Sequence, residues 1–102
     1  MSNEEHIILN VGGIKYETFR STLMRFPNTL LGKMFHQQNR SFLRPTNGNE
    51  YFLDRNGYAF RYILEYYRTG VIIWPEYPSA FVSREELTIE FFYFEISVPQ
   101  QR

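Results

Sequence analysis

The sequence predicts one small domain of the α+β class. Two alternating apolar and polar runs on either side of Gly12-Gly13 indicate a β-hairpin, because both positions of a two-residue turn favour positive φ. A third β-prone run follows at residues 50–54, and residues 59–70 repeat apolar side chains with the period of an α-helix. A chain of 102 residues is long enough to bury a single core.

The first strand, residues 6–11, places Ile7, Leu9 and Val11 on one face. The glycine pair after it also raises the alternative of a phosphate-binding loop, and with it a small enzyme. Such a loop needs a helix directly after the glycines, whereas β-prone residues follow here, and neither GxxxxGK[ST] nor GxGxxG occurs. A hairpin turn is the better interpretation.

Two short helices are expected after the hairpin. Ser21 or Thr22 can cap the first, over residues 23–26, and Asn28 or Thr29 can cap the second. Gly32 lowers the helix propensity of the second and suggests a close backbone approach instead. The polar residues 37–49 then predict a loop.

The second half of the chain predicts one strong helix and one ambiguous one. Asn56 can cap the strong helix and Gly70 can end it. Its apolar stripe consists of Phe60, Ile63, Leu64 and Tyr67. The run after residue 83 is β-prone in composition, but Ser83 and Glu86 have the spacing of a capping box, which favours a helix.

Composition excludes several classes of function. With 11 basic and 11 acidic residues, no field favours nucleic acid or an anionic membrane, and the absence of cysteine excludes disulfides and thiolate metal sites. No apolar run is long enough to span a bilayer. We therefore expect a cytoplasmic, intracellular module without nucleic-acid partners or direct membrane contact. Aromatic residues make up 19% of the chain, too many for one small core, which points to an exposed partner site.

No arrangement of reactive residues indicates catalysis. His6 is expected to begin an outer strand, and His36 to end a short helix, where an imidazole is usually a favourable end charge. Asp54, the sole aspartate, fits an ion pair or a turn hydrogen bond better than a general acid. We therefore expect no enzyme activity, no metal and no cofactor. The arginine and tyrosine side chains fit a partner surface, because both residue types are enriched at protein interfaces. They fit equally well a solvated surface with scattered ion pairs.

The motifs taken together resemble a known family. In order they are LNVGGIKYET, TLMRFPNTLLGKMF, EYFLDRNGYAFRYILEYYRTG and, more weakly, EELTIEFFYFEI. This set resembles the BTB/POZ domain of the potassium-channel tetramerisation type, found in voltage-gated channels and in the KCTD proteins. The resemblance implies a small three-stranded sheet flanked by short helices, over residues 6–97, with a disordered start at 1–5 and a tail at 98–102.

The same resemblance implies self-association into a closed ring of four or five copies. The interface in such rings is polar and heterologous, so that one face of a copy meets a different face of its neighbour. We expect Asp54, Arg55 and Arg61 on one side. On the opposing side we expect Arg25, Asn28 and Thr29.

The resemblance also implies a function. The stretch NGYAFRYIL is closer to the soluble KCTD branch, many members of which resemble substrate adaptors that bind a cullin scaffold of ubiquitin ligases. The alternative is the cytoplasmic tetramerisation domain of a voltage-gated potassium channel. Several channel types hold a zinc ion between subunits with His and Cys ligands, and the lack of cysteine removes that expectation here. Phe91, where the family tends to place a small residue, changes the packing of the last helix.

Overall fold

We analysed a computed structural model of the protein, which describes residues 4–36, 38, 44–76 and 81–99. Strands and helices share one hydrophobic core, as the predicted α+β class requires. In chain order the elements are β1 His6–Val11, β2 Ile14–Phe19, α1 Arg20–Leu23, α2 Leu30–Met34, β3 Glu50–Leu53, α3 Gly57–Thr69 and α4 Arg84–Tyr93.

The sheet has three strands in the order β2-β1-β3. Strand β1 pairs antiparallel with β2, from His6 opposite Phe19 to Val11 opposite Ile14, and parallel with β3. The expectation that His6 begins an outer strand was therefore wrong, because β3 adds to the free edge of β1 and makes it central. Sequence distance hides this pairing, since parallel strands need a long connection.

The hairpin turn occupies Gly12 and Gly13, whose φ angles are +57° and +101°. The Gly13 amide donates to Oδ1 of Asn10 at 2.9 Å, and the Gly12 amide donates to the Leu53 carbonyl at 2.9 Å. A Cβ on Gly12 would lie 2.3 Å from the Arg55 carbonyl oxygen. The positive φ angles and this close approach explain why glycine is needed. Both turn amides already have acceptors, which argues against the phosphate-loop alternative.

Helix α3 follows the predicted pattern. Oδ1 of Asn56 accepts from the amides of Tyr58 and Ala59, at 3.0 and 3.1 Å, and Gly70 ends the helix in the left-handed region at φ +80°. The predicted stripe of Phe60, Ile63, Leu64 and Tyr67 is buried. This helix packs against α4 and against the face of β1 that carries Ile7, Leu9 and Val11.

The first short helix starts earlier than expected. It begins at Arg20, directly after β2, and Phe19 at its N-cap makes no side-chain cap bond, so the prediction of a Ser21 or Thr22 cap was wrong. The physical reason is that Arg20 is fixed from outside the helix. Its amide donates to the Glu5 carbonyl at 2.8 Å, and its guanidinium pairs with the Glu5 carboxylate and donates to the Phe35 carbonyl.

The second short helix confirms its predicted cap. Oγ1 of Thr29 accepts from the Gly32 amide at 3.3 Å. A Cβ on Gly32 would lie 2.0 Å from the Phe26 carbonyl oxygen, which confirms the close backbone approach. Helix α4 carries the complete capping box of Ser83 and Glu86, so the helical alternative for this segment was correct.

Some predicted features fall on parts of the chain that are not described. Residues 1–3, 37, 39–43, 77–80 and 100–102 lie outside the described residues, and so do parts of the expected start, loop and tail. Of the expected disordered start, Glu4 and Glu5 are described, and their side chains contact Ser21 and Arg20. The proposed domain limits stay a prediction.

Candidate interaction surface

Six residues were expected at a self-association surface, and one of them, Arg55, makes several side-chain contacts within the chain. It follows β3 and donates two hydrogen bonds to the Glu90 carboxylate of α4, at 3.1 and 3.0 Å. Its guanidinium also lies 3.8 Å from the centre of the Tyr93 ring. Only 7% of the Glu90 side chain is exposed, so the pair is largely desolvated. This bidentate pair fixes α4 to the corner that joins β3 and α3.

Arg25 binds the end of α3. One of its Nη atoms donates to the Arg68 carbonyl at 2.6 Å, at the helix terminus where carbonyl oxygens lack intrahelical partners. The guanidinium lies 5.5 Å from the centre of the Phe26 ring. The residue as a whole remains exposed.

Thr29 is buried and connects two helices. Its hydroxyl donates to the Phe26 carbonyl at 2.7 Å and accepts a short hydrogen bond from the Tyr67 hydroxyl of α3. Burial raises the pKa of Tyr67 to about 12, although the hydrogen bonds from Thr29 and nearby backbone groups act in the opposite direction. Thr29 therefore acts inside the chain, and the exposed neighbour on the same loop is Asn28.

Asp54, Arg61 and Asn28 are exposed, as Arg25 is, whereas Arg55 is half-buried and Thr29 is buried. In the described part of the chain the Asp54 carboxylate has no ion pair or hydrogen bond, so the expected structural partner is not seen. The Arg61 guanidinium lies 5.1 Å from the centre of the Tyr62 ring. Burial raises the pKa of Tyr16, and the nearby Arg61 charge partly opposes that effect.

An apolar groove on α4 was not singled out by the sequence. Phe92 is 85% exposed and Ile89 is 58% exposed, whereas the acid Glu90 on the same helix is buried. The outward residues border a groove of about 920 Å³. Its lining includes Leu30, Arg55, Ile89, Phe92, Tyr93 and Ile96. The signal available beforehand was the surplus of aromatic residues, which predicted an exposed patch but not its position.

Neither a metal site nor a membrane-spanning helix is found among the described residues. They contain no cluster of three or more His, Asp or Glu side chains that could hold a metal ion. No helix among them has the length and apolar character needed to cross a membrane. The described part of the chain offers an apolar groove and, separately, exposed side chains of both charges.

Comparisons with known proteins show what the chain is similar to. The family model described as the BTB/POZ domain matches residues 7–100. The chain is 40% identical over 86 residues to the potassium voltage-gated channel protein Shal of Drosophila melanogaster, covering 84% of this chain and 14% of that protein. It is 39% identical over 84 residues to the human A-type voltage-gated potassium channel KCND3, covering 82% of this chain and 12% of that protein. The chain therefore spans less than a sixth of these relatives.

Proposed function

Because the chain belongs to the BTB/POZ domain family, we propose that it is a non-enzymatic interaction module that assembles into a closed ring of identical copies. The observation that carries the proposal is the exposed Asp54, whose carboxylate has no partner in the described part of its own chain. An exposed carboxylate is well solvated and gives specificity when it meets a complementary charge in a second copy.

The partner that we assign to Asp54 is Arg25 of the neighbouring copy. Arg25 is exposed and already held at the end of α3 by the Arg68 carbonyl, so little side-chain entropy is lost when its other N–H groups bind a carboxylate. Arg61 and Asn28 are the second polar pair. In this arrangement Arg55 and Thr29 shape the surface from within the chain, since their own polar groups are occupied.

A charge-swap experiment tests the pairing. Asp54→Arg and Arg25→Glu are each expected to lower the mass measured by light scattering towards the 12.3 kDa of one chain. The double variant restores a pair of opposite charges and is expected to recover part of the oligomer. Arg61→Glu is expected to weaken assembly as well, because it removes the second polar pair.

Matched controls reverse charges elsewhere on the surface. Glu76→Arg and Arg44→Glu make the same changes in net charge at exposed positions outside the proposed contact. Both are expected to leave the mass unchanged. A purified chain that stays at the mass of one copy at high micromolar concentration would refute self-assembly itself. A native mass spectrum of the wild type distinguishes four copies from five.

Two biological settings are compatible with such a ring. The channel relatives favour an assembly domain of a voltage-gated potassium channel, to which the chain would contribute in a longer protein. Co-expression with the matching segment of Shal tests this setting, since mixed rings in a native mass spectrum are then expected. The KCTD-like stretch at residues 56–64 instead supports a cullin adaptor. A pulldown with a purified cullin tests that second setting, and retention of the cullin is the result expected for an adaptor.

A further inference from the structure

The apolar groove on α4 has no occupant within the described chain. Its two charged lining residues are already neutralised, since Arg55 pairs with Glu90, and Glu95 pairs with Lys33 at 2.5 Å. The remaining lining is mostly apolar, and Phe92 stands almost fully in solvent. Such a groove fits an uncharged apolar insert and offers nothing specific to a charged ligand.

The chain displays an apolar insert elsewhere, on the extended segment after α3. Ile72 and Trp74 pack inward against the core. The alternate residues Val71 and Ile73 are 57% and 44% exposed, as the period of two in an extended chain dictates. We call Val71 and Ile73 the apolar strip. Ile72 and Trp74 line the same depression as Ser97, so the strip points away from it.

The groove and the strip each border a different half of the proposed polar contact. Arg55 lines the groove and is the chain neighbour of Asp54. The strip begins directly after Gly70, and the Arg25 guanidinium lies 3.9 Å from the position that a Cβ on Gly70 would take. If Asp54 of one copy meets Arg25 of the next, the groove of the first is brought towards the strip of the second.

From this arrangement we propose that the α4 groove receives Val71 and Ile73 of a second copy. This inference rests on the proposed self-assembly. It departs from the polar interface that the family resemblance implies, because it gives the contact an apolar centre with the charged pairs at its rim. Protein interfaces are commonly built in this way, with apolar residues at the centre and polar residues around them. Two different patches on one chain make a heterologous contact, which is the type that closes rings.

Two substitutions at exposed positions test the contact. Phe92→Glu places a carboxylate in the apolar groove, and Ile73→Glu places one in the apolar strip. Each is expected to weaken self-association at least about 30-fold, because a charge is then buried at the centre of the contact. Phe19→Glu, at an exposed apolar position at the end of the sheet away from Asp54, is the matched control and is expected to keep the oligomer. Circular dichroism checks that each variant is folded.

Mixing the two variants gives a sharper result. Alone, each is expected to be monomeric, but the intact groove of Ile73→Glu can receive the intact strip of Phe92→Glu. A one-to-one mixture is therefore expected to form dimers and no larger rings. If the groove of one copy instead packed against the groove of a second copy, the strip would not be needed. Ile73→Glu would then keep the wild-type mass, which would overturn the proposal.

The cysteine-free sequence allows a direct distance test. Ile73→Cys mixed with Phe92→Cys is expected to form an intermolecular disulfide on mild oxidation. Ile73→Cys mixed with Phe19→Cys is expected to form none. A wild-type oligomer that loses mass with Asp54→Arg but keeps it with Phe92→Glu would overturn this inference and leave the proposed assembly standing. A monomeric wild type would overturn both.

Discussion

Helices α3 and α4 pack against each other and both bury apolar side chains, but they differ in the charged and apolar residues that they bury or expose. Helix α3 buries its aromatic and aliphatic stripe and exposes Arg61 and Arg68. Helix α4 buries the acid Glu90 and exposes Phe92 and Ile89. The stripe of α3 is explained completely by the core of its own chain. The pattern of α4 is not explained by the core of the described residues, and in our proposal a second copy covers its exposed side.

The largest expected difference concerns phenylalanines on the two helices. Phe60→Ala on α3 removes a fully buried ring and is expected to destabilise the fold by about 3–5 kcal/mol. Phe92→Ala on α4 is expected to change the stability of one chain by less than about 0.5 kcal/mol. Urea denaturation at low protein concentration measures both, and equal losses would contradict the comparison.

The ion pairs of the two helices should differ almost as much in their contribution to the stability of the fold. Arg55→Ala leaves the buried Glu90 carboxylate without its cation, which is expected to destabilise the fold by about 3–5 kcal/mol. Arg68→Ala removes the partner of Glu65 on α3, a half-exposed contact at 3.7 Å, and is expected to cost about 0–1 kcal/mol. Chemical denaturation compares the two. A loss below 1 kcal/mol for Arg55→Ala would mean that Glu90 is better solvated than its burial suggests.

The hydroxyl of Tyr67 gives α3 a smaller and pH-dependent contribution. Tyr67→Phe removes its hydrogen bond to Thr29 and is expected to cost about 1 kcal/mol at neutral pH. The folded-state pKa, about 12, is above the ordinary value of 10, so this contribution is complete below pH 10 and is lost as the pH rises towards 12. Stability curves of the two proteins should therefore converge in that range, and a constant difference would contradict the raised pKa.

The smallest expected effects concern how the helices end. Gly70 ends α3 at φ +80°, and Gly70→Ala is expected to destabilise the fold by about 1 kcal/mol. Glu95, which follows α4, has a φ of +60° although it carries a side chain. Glu95→Gly relieves that strain but loses the exposed pair with Lys33, so a net gain of about 0.5 kcal/mol is expected. Thermal unfolding checks both, and a loss with Glu95→Gly would show that the ion pair outweighs the strain.

Features set by neighbours in sequence were predictable. The glycine turn and the caps at Thr29, Asn56 and Ser83 depend on residues two to four positions away, and all of them were confirmed. The stripe of α3 was equally clear, because a period of 3.6 over three turns leaves one solution. Local chemistry thus identified most of the fold.

Features set by distant residues were missed. The central place of β1 depends on a strand about 40 residues later, and the start of α1 depends on the Glu5 carbonyl. For the candidate site, the sequence could name Arg55 but not its partner Glu90, 35 residues away. The α4 groove forms where Leu30, Arg55 and the helix meet, so no single stretch could reveal it.

The parallel pairing of β1 with β3 has a consequence for synthesis of the chain. The hairpin can form as soon as residue 19 has emerged from the ribosome, but the other edge of β1 waits until residue 53. At ordinary elongation rates this interval lasts roughly 2–7 s. During that time an unpaired strand edge faces other nascent chains on the same message. Prematurely ended products that lack residues 50–53 should therefore aggregate, and the crowding of ribosomes on the message should influence the yield of folded protein.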